Sequence, residues 1–501
     1  MIFPSEQEFY QLTEKGNLIP VYKEIIADLE TPVSAYYRVA NGAQYSFLLE
    51  SVEGKEKIAR FSFLAKNPEL ILESKDNHVK LMQFKDGQIL TEKRTVKDTP
   101  LSFVREIMNQ YKFVNTPGLP RFCGGLVGYA SYDIVRFFER IQKKTKDDLK
   151  LPDMLMVLAK DLIIFDHRNH KIKVVSCVHI DSKSSKAKKK QAYLNAVKKI
   201  DALIKDLNSP MLIETGKKNI SKTKKIKIKS NFTEKQFKKI VTEAKKKIRE
   251  GEIIQVVLSQ RFEVDLTTDP FNIYRTLRIL NPSPYMYYLN LDKIKVIGSS
   301  PELLIRCENG TVETRPIAGT RPRGKDEQQD QSLAEDLLKD PKEIAEHVML
   351  VDLGRNDLGR VCQQGSVHLS EFMSIERYSH VMHIVSNVKG QLKPDKDGFD
   401  VLQAAFPAGT VSGAPKIRAM EIIEDLEKVS RGTYAGCIGY FSFSGNLDTC
   451  ITIRTIVVKG KKAYIQAGAG IVADSDPTRE YIETVNKAKA QIAAIEMASR
   501  S

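Results

Sequence analysis

Two pairs of glutamates, each with a spacing of three residues, are the side chains best suited to metal chemistry. Glu343 and Glu346 lie in KEIAEHVMLVDLGRND, and Glu480 and Glu483 lie in TREYIETVNKAKA. On a helix this spacing places both carboxylates of a pair on one face. Two such helices side by side would offer four carboxylates to Mg²⁺, which takes few protein ligands and keeps waters. Either pair alone is also common on a solvated helix surface.

Cationic and small residues in the same half of the chain suit an anionic substrate. Arg454, in CITIRTIVV, is predicted mid-strand among apolar neighbours, where a cation needs an acidic partner or a substrate carboxylate. Lys487 follows Glu483 by one helical turn and would face the metal, the substrate or solvent. Gly468, Ala469 and Gly470 would let backbone amides approach a carboxylate, or would simply form a turn.

A histidine and a small-residue loop are further candidates. His383, in SHVMHIVS, has strand-like apolar neighbours and fits either a core position or a catalytic one; His380 competes with it by sequence. The loop GTVSGAPK (409–416), which includes Thr410, leads into a predicted helix. It resembles an anion-accepting helix N-terminus but lacks the Walker spacing.

The net charge of +15 raises the alternative of a nucleic-acid-binding protein. Residues 183–229 hold fifteen lysines, no arginine and three acids, so this stretch supplies +12 of the total. It lacks the arginine and aromatic interleaving of nucleic-acid readers. We therefore interpret it as a solvated linker with a short helix near 187–207, and expect no nucleic-acid partner.

Composition and cysteine usage indicate an ordinary globular protein. No apolar run approaches a membrane span, and no signal peptide is visible at MIFPSEQEFY. The six cysteines are scattered without C-x₂-C pairs, which indicates reduced thiols rather than disulfides or zinc. We expect a cytoplasmic protein without a membrane partner.

Strand-like and helix-like segments occur in blocks, which predicts an α+β fold of mostly antiparallel sheets flanked by helices. Helices are predicted near 101–111, 234–250, 331–356, 415–427 and 478–499. Late strands are predicted at 434–443, 449–458 and 463–467. The composition divides the chain into an N-terminal domain (1–182), a Lys-rich linker (183–230) and a larger domain (231–501).

Several long segments, in order, carry a family resemblance. They are TRPIAGTRPRG (314–324), KEIAEHVMLVDLGRND (342–357), YSHVMHIVS (378–386), FPAGTVSGAPKIRAMEII (406–423), RGTYAGCIGYF (431–441), AGAGIVADSDP (467–477) and YIETVNKAKA (481–490). The chain resembles the chorismate-utilising enzymes, and most closely the anthranilate synthase component I family. The likeness is strong over about 235–495 and weaker over 1–180.

The resemblance implies a role for each matching residue. The direct Mg²⁺ ligands are Glu346 and Glu483, and the outer pair acting through water is Glu343 and Glu480. The implied chorismate contacts are Gly319, Thr320, Tyr434, Arg454, Gly468, Ala469, Gly470 and Lys487. The implied catalytic residues are His383, Glu302 in SSPELL as the acid for loss of the ring hydroxyl, Thr410 and Gln255.

Two positions discriminate among relatives. Ala318 stands where aminodeoxychorismate synthases carry a nucleophilic lysine, and alanine cannot form that covalent intermediate. Gln255 stands where isochorismate and salicylate synthases carry a lysine that activates water, and an amide cannot act as that base. The resemblance therefore implies a lyase that makes anthranilate and pyruvate from chorismate and ammonia, with the other two activities as alternatives.

The resemblance also implies a regulator and a partner. Leu49, Glu50 and Ser51, in the first half, and Pro284, Tyr285 and Met286, in the second, match the tryptophan-binding elements of feedback-inhibited relatives. No cysteine sits in a Gly-x-Cys-x-Gly elbow, so a separate glutamine amidotransferase subunit is expected to supply ammonia in a hetero-oligomer.

Overall fold

The computed structural model describes residues 1–52, 60–85, 88–211, 226–378 and 381–500, and His380 lies outside this part of the chain. Its described strands before residue 183 are β1 (Ile2–Phe3), β2 (Leu18–Ile26), β3 (Tyr45–Glu50), β4 (Phe61–Lys66), β5 (Leu70–Lys75), β6 (His78–Lys85), β7 (Gln88–Thr95), β8 (Gly125–Ala130), β9 (Met154–Ala159), β10 (Asp161–Asp166) and β11 (Lys171–His179). The helices up to residue 207 are α1 (Glu6–Leu12), α2 (Pro32–Ala40), α3 (Pro100–Met108) and α4 (Lys186–Leu207), with a short 3₁₀ helix at Tyr132–Phe137.

The second half continues the same pattern. Its strands are β12 (Ile228–Ser230), β13 (Gln255–Asp265), β14 (Tyr285–Leu291), β15 (Ile294–Ser300), β16 (Leu303–Glu308), β17 (Thr311–Thr314), β18 (Ile317–Pro322), β19 (His368–Arg377), β20 (Val381–Gln391), β21 (Gly413–Ala414), β22 (Cys437–Ser442), β23 (Leu447–Ile451), β24 (Thr455–Lys459) and β25 (Lys462–Ile471). Its helices are α5 (Glu234–Arg249), α6 (Pro270–Leu280), α7 (Glu327–Lys339), α8 (Pro341–Gly359), α9 (Gly398–Ala405), α10 (Lys416–Leu426) and α11 (Pro477–Ala498), with a 3₁₀ turn at Gly409–Val411.

Two antiparallel sheets run through both halves of the chain. The first has the order β1-β2-β11-β10-β4-β3-β14-β15-β24-β25-β13-β12, and the second has the order β18-β20-β17-β16-β23-β22-β8-β9-β5-β6-β7. Each sheet passes from one half to the other at a single junction, β3 with β14 in the first and β8 with β22 in the second. The predicted α+β class is confirmed. The proposed domain boundaries stay a prediction, because strands of both halves share the sheets.

Aspartate-proline pairs start the two helices that carry the glutamate pairs. Asp340 caps α8 by accepting from the backbone N–H groups of residues 342 and 343, and Asp476 caps α11 in the same way. Proline follows at the first helical position, where its fixed φ and missing N–H cost nothing. The single helix predicted over 331–356 is wrong for this reason: Pro341 divides it into α7 and α8.

The lysine-rich stretch is partly packed against the first sheet. Helix α4 buries Tyr193, Ala196, Ile200 and Leu207 in a core cluster shared with β2, β10 and β11. The helix expected near 187–207 is therefore present. Its lysines line the outer face of an amphipathic element, except Lys189, which is buried and pairs with Glu14 at 2.8 Å. Residues 212–225 of the proposed linker lie outside the described part of the chain.

Candidate active site

His383 is held on the central strand of a three-stranded ladder, β18-β20-β19. Its Nδ1 lies 2.8 Å from the Gly319 carbonyl oxygen and 3.1 Å from Thr320 Oγ1. The ring must carry its proton on Nδ1 to donate to that carbonyl, which leaves the Nε2 lone pair free. Burial lowers the pKa of His383, and the nearby Arg454 adds to this effect, so the ring is neutral at physiological pH.

A bulge in β18 brings the backbone beside this histidine. The register between β18 and β20 shifts between Ala318 and Thr320, and Gly319 has a φ of +69°. A Cβ at Gly319 would lie 3.2 Å from Glu343 Oε2. The absence of a side chain therefore lets α8 and its carboxylate approach the strand closely.

Glu302 occupies the turn between β15 and β16 and faces a cavity. Thr410, Leu350, Asp357 and Ile451 are among the residues that line this cavity. Burial raises the pKa of Glu302 to about 7, against the opposing effects of Thr410 and Lys487. A carboxyl group with this pKa keeps a proton near neutrality, as a general acid requires.

The Gly468–Gly470 segment forms strand rather than a turn, in β25 against β13. A Cβ at Gly468 would lie 2.5 Å from the Tyr434 hydroxyl oxygen, and a Cβ at Gly470 would lie 2.6 Å from Gln255 Nε2. Lys487 Nζ donates to the Gly468 carbonyl at 3.0 Å and pairs with Glu483 at 2.7 Å. The small residues thus bring Tyr434, Gln255 and Lys487 to one strip of sheet.

Arg454 lies in a kink between β23 and β24, so its predicted mid-strand position is wrong. The segment 449–458 is divided at residues 452–454, and Arg454 has a φ of +52°. Its Nη1 donates to the Lys487 carbonyl at 2.7 Å, and no ion pair of Arg454 is found among the described residues. Burial lowers the pKa of Arg454, and Tyr434 and Glu483 only partly offset this. A partly buried cation of this kind is ready to accept an anionic ligand.

The four glutamates lie on the first two turns of α8 and α11 but do not converge. Glu346 Oε1 accepts a hydrogen bond from Gln255 Nε2 at 3.3 Å, and Glu343 lies 3.5 Å from Arg321. Within the described ranges, no three acidic, histidine or cysteine side chains are close enough to hold an ion as they stand.

The pKa values of two of these carboxyl groups are raised, so a nearby cation would stabilise their charged forms. Burial, and then the neighbouring Glu346, raise the pKa of Glu343. Burial also raises the pKa of Glu480 against a hydrogen bond from Ser475, and Glu483 raises it further. The oxygen-only donor set and its excess of negative charge fit Mg²⁺.

A second cavity, here called the seam cavity, lies where both sheets pass between the halves. It is lined by Leu49, Glu50, Ser51, Phe61, Phe63, Arg121, Pro284, Tyr285, Met286, Tyr287, Arg306, Ile438, Gly439, Tyr440, Asp448 and Cys450. All six residues that the sequence predicts as inhibitor contacts line it together. The Glu50 carboxylate is bound by Arg278 at 3.1 and 3.2 Å and by the Tyr274 hydroxyl.

The sequence did not predict three charged residues that line the seam cavity, Arg121, Arg306 and Asp448. Arg121 and Arg306 both donate to Asp448 Oδ2, at 2.9 and 3.1 Å, and the Tyr285 hydroxyl donates to Asp448 Oδ1 at 2.9 Å. Arg121 is 327 positions from Asp448, so no local pattern signals the contact.

All six cysteines are buried and free, which confirms that they form no disulfide. In the described part of the chain, no helix is both long and apolar enough to cross a membrane.

Comparison with known proteins places these observations in a family. A family model described as chorismate binding enzyme matches residues 44–493. The chain is 48% identical over 501 residues to a protein of Acetivibrio thermocellus named Anthranilate synthase component 1, with 99% of each chain covered. A protein of the same name from Aquifex aeolicus is 48% identical over 497 residues, covering 99% of this chain and 98% of that protein.

Solved structures agree with the fold. Anthranilate synthase component I from Streptococcus pneumoniae is 38% identical with a TM-score of 0.74, covering 93% of this chain and 99% of that one. The menaquinone-specific isochorismate synthase of Escherichia coli is 19% identical with a TM-score of 0.67, covering 98% of both chains, and supports the fold alone. With a family model matched over most of its length and relatives aligned end to end, this chain belongs to the chorismate-binding enzyme family.

Proposed function

We propose that the chain is the chorismate-converting component of an anthranilate synthase. In this reaction chorismate and ammonia give anthranilate, pyruvate and water. The observation that carries the proposal is the end-to-end similarity, at 48% identity, to proteins named Anthranilate synthase component 1. Gln255 and Ala318 support it, because neither residue type supplies the lysine chemistry of the alternative activities.

The site chemistry suits loss of a ring hydroxyl followed by loss of pyruvate. Glu302, with a pKa of about 7, would donate a proton to the departing hydroxyl, and Thr410 would orient it. His383, neutral and protonated on Nδ1, would offer Nε2 to a proton or a hydroxyl of the substrate. Arg454 and the Tyr434 hydroxyl would bind a carboxylate beside the Gly468–Gly470 backbone.

We further propose that the reaction requires Mg²⁺. Glu346 and Glu483 would hold it directly, and Glu343 and Glu480 through water. When bound, the ion supplies charge stabilisation and an anchor for a substrate carboxylate. The Gln255–Glu346 and Lys487–Glu483 contacts would then give way, which frees the Gln255 amide and the Lys487 ammonium for the substrate.

The seam cavity is proposed as an inhibitory tryptophan site. Its aromatic and aliphatic walls, formed by Phe61, Phe63, Leu49 and Met286, suit an indole ring. Glu50 and the unpartnered, buried Ser51 hydroxyl suit the polar end of an amino acid. Because all six cysteines are buried, glutamine hydrolysis is assigned to a separate amidotransferase subunit.

Anthranilate fluorescence tests the proposal directly. Purified chain is mixed with chorismate, an ammonium salt at alkaline pH and Mg²⁺, with parallel reactions containing EDTA or tryptophan. The chain contains no Trp, so its own fluorescence is low. We expect a signal that requires Mg²⁺ and falls with tryptophan. Consumption of chorismate with aminodeoxychorismate, isochorismate or salicylate as product would refute the assignment of the nucleophile and product.

A further inference from the structure

A fully buried ion pair, Arg431 with Glu427, contacts several segments of the candidate active site. The Arg431 and Glu427 side chains are 1% and 2% exposed. The guanidinium donates to both carboxylate oxygens of Glu427, from Nε at 3.0 Å and from Nη2 at 2.6 Å. Neither residue lines the cavity of Glu302 or the seam cavity, so we assign the pair no direct chemical task there.

The remaining donors of Arg431 bind three separate segments of the site. Nη1 donates to the carbonyl of Val411, next to Thr410, at 2.7 Å. Nη2 donates to the carbonyl of Val257, which is the cross-strand partner of Gly470, at 2.6 Å. The guanidinium also lies 5.5 Å from the ring centre of Tyr434.

Glu427 adds a second contact with β13, the strand that contains Val257. Its Oε1 accepts from both the backbone N–H and the hydroxyl of Ser259, each at 2.8 Å. Ser259 is the cross-strand partner of Gly468, and its hydroxyl accepts from Gln466 Nε2 at 2.8 Å. The pair therefore holds β13 at the two residues that lie opposite Gly468 and Gly470 of β25.

Such a pair is expensive to bury, and well-packed apolar side chains of similar volume often stabilise a fold as well. What apolar residues cannot replace is a rigid planar fork that sets the distances between several carbonyl groups. We infer that Arg431 is a positioning residue, which with Glu427 holds the Thr410 turn, Tyr434 and the Gly468–Gly470 strand at the spacing that chorismate requires. This inference rests on the proposed function for its turnover readout.

Two variants separate positioning from stability. Arg431→Lys keeps the charge but cannot reach all four acceptors, and the double variant Arg431→Met with Glu427→Met removes the buried charges. We expect kcat/KM for chorismate to fall about 10-fold to 100-fold in both, the scale of a displaced reacting group. The melting temperature should fall in Arg431→Lys and return close to the wild-type value in the double variant, whereas kcat/KM should stay low in both.

Arg60→Lys is the matched control, because Arg60 forms a bidentate pair with the buried Asp166 at 3.1 and 3.0 Å on β10. It should lower the melting temperature and leave kcat and KM unchanged. Wild-type kinetics in the double variant, or an equal loss of kcat/KM in Arg60→Lys, would overturn the inference.

If the wild type makes no anthranilate, the proposed function fails and the inference is read from binding alone. Calorimetry of chorismate with wild type and Arg431→Lys should then show affinity at least about 10-fold weaker in the variant. Equal affinities would overturn it.

Discussion

Two arginines with little exposure, Arg454 in the candidate active site and Arg306 in the seam cavity, show how the two sites differ. Burial by itself lowers the pKa of Arg306, but Asp448, Tyr285, Glu313 and Tyr440 together outweigh it and the pKa is raised. Arg454 has no carboxylate within hydrogen-bonding distance among the described residues, and its pKa is lowered. Charges are paired at the seam between the halves, whereas the cation of Arg454 marks the place where we propose that an anionic substrate supplies the missing partner.

The two cavities also differ in what builds them. The predicted catalytic, substrate and metal residues all come from the second half of the chain, whereas both halves line the seam cavity. A ligand in the seam cavity would bridge the junctions β3–β14 and β8–β22. The seam is therefore the place where a small ligand would most affect the relative position of the halves.

Replacement of Glu302 should have the largest effect on kcat and should leave ligand binding in the seam cavity unchanged. Glu302→Gln removes the proton donor but keeps the size of the side chain, so kcat should fall about 10²-fold to 10⁴-fold. Tryptophan affinity, measured by calorimetry, should stay within twofold of the wild type. A variant with wild-type kcat would remove Glu302 from the mechanism.

We expect the stability of the fold to change in opposite directions when each of the two arginines is replaced by methionine. Arg454→Met should lower kcat/KM about 10²-fold to 10³-fold, because a buried charge that pairs with a ligand is worth several kcal/mol. Its melting temperature should equal or exceed that of the wild type, because an unpaired buried cation is removed.

Arg306→Met is the counterpart in the seam cavity. It should lower the free energy of unfolding by about 3 kcal/mol, because Asp448 then keeps only Arg121 as a cationic partner. Its kcat in the absence of tryptophan should be retained. A stability loss in Arg454→Met as large as in Arg306→Met would contradict the comparison.

Sequence patterns predicted the elements that have clear end signals. The helices predicted over 234–250 and 478–499 are Glu234–Arg249 and Pro477–Ala498, because Thr233 and Asp476 cap them. The kink at Arg454 was missed because apolar β-branched residues flank it on both sides, as they would in one continuous strand.

Long-range pairing left no such signal. The junction of β3 with β14 joins residues more than 230 positions apart. The sequence of either strand would fit an edge strand as well as it fits this central position. The family resemblance named six seam residues, yet Arg121, Arg306 and Asp448 depend on side-chain reach between sheets. Likewise Arg431 lies in a recognised motif, but its inferred role depends on the carbonyl groups of Val411 and Val257, which lie 20 and 174 positions away.

The raised pKa of Glu302 also makes stability depend on pH. Its folded pKa of about 7 lies above the unfolded value of about 4.3, so the buried anion destabilises the fold as pH rises through this window. Glu302→Gln should therefore stabilise the protein little at pH 4.5 and by up to about 3 kcal/mol above pH 7. Urea unfolding at pH 5 and pH 8 measures the difference, and an equal effect at both would contradict the assigned burial.

The smallest expected effect tests the hydrogen bonds that join Ser300, Ile451 and Glu302 between the two cavities, here called the wall. Tyr285, in the seam cavity, is the cross-strand partner of Ser300. The Ser300 hydroxyl donates to the Ile451 carbonyl at 2.7 Å, and the Ile451 N–H donates to the Glu302 carbonyl at 3.0 Å. Ser300→Ala removes one hydrogen bond, worth about 0.5–1.5 kcal/mol, to Ile451, which lines the cavity of Glu302 and directly follows Cys450 of the seam cavity.

If inhibition is transmitted through this wall, Ser300→Ala should weaken inhibition by tryptophan about 2-fold to 10-fold, while tryptophan affinity and uninhibited kcat stay unchanged. Ser299→Ala is the control, because the Ser299 hydroxyl bonds to Asn281 and Ser283, on the side of the strand away from Ile451. Comparable hydrogen bonding is lost there, yet inhibition should be retained. Equal weakening in both variants would show that the coupling depends on the stability of β15 as a whole, and would remove Ser300 from the connection between the two cavities.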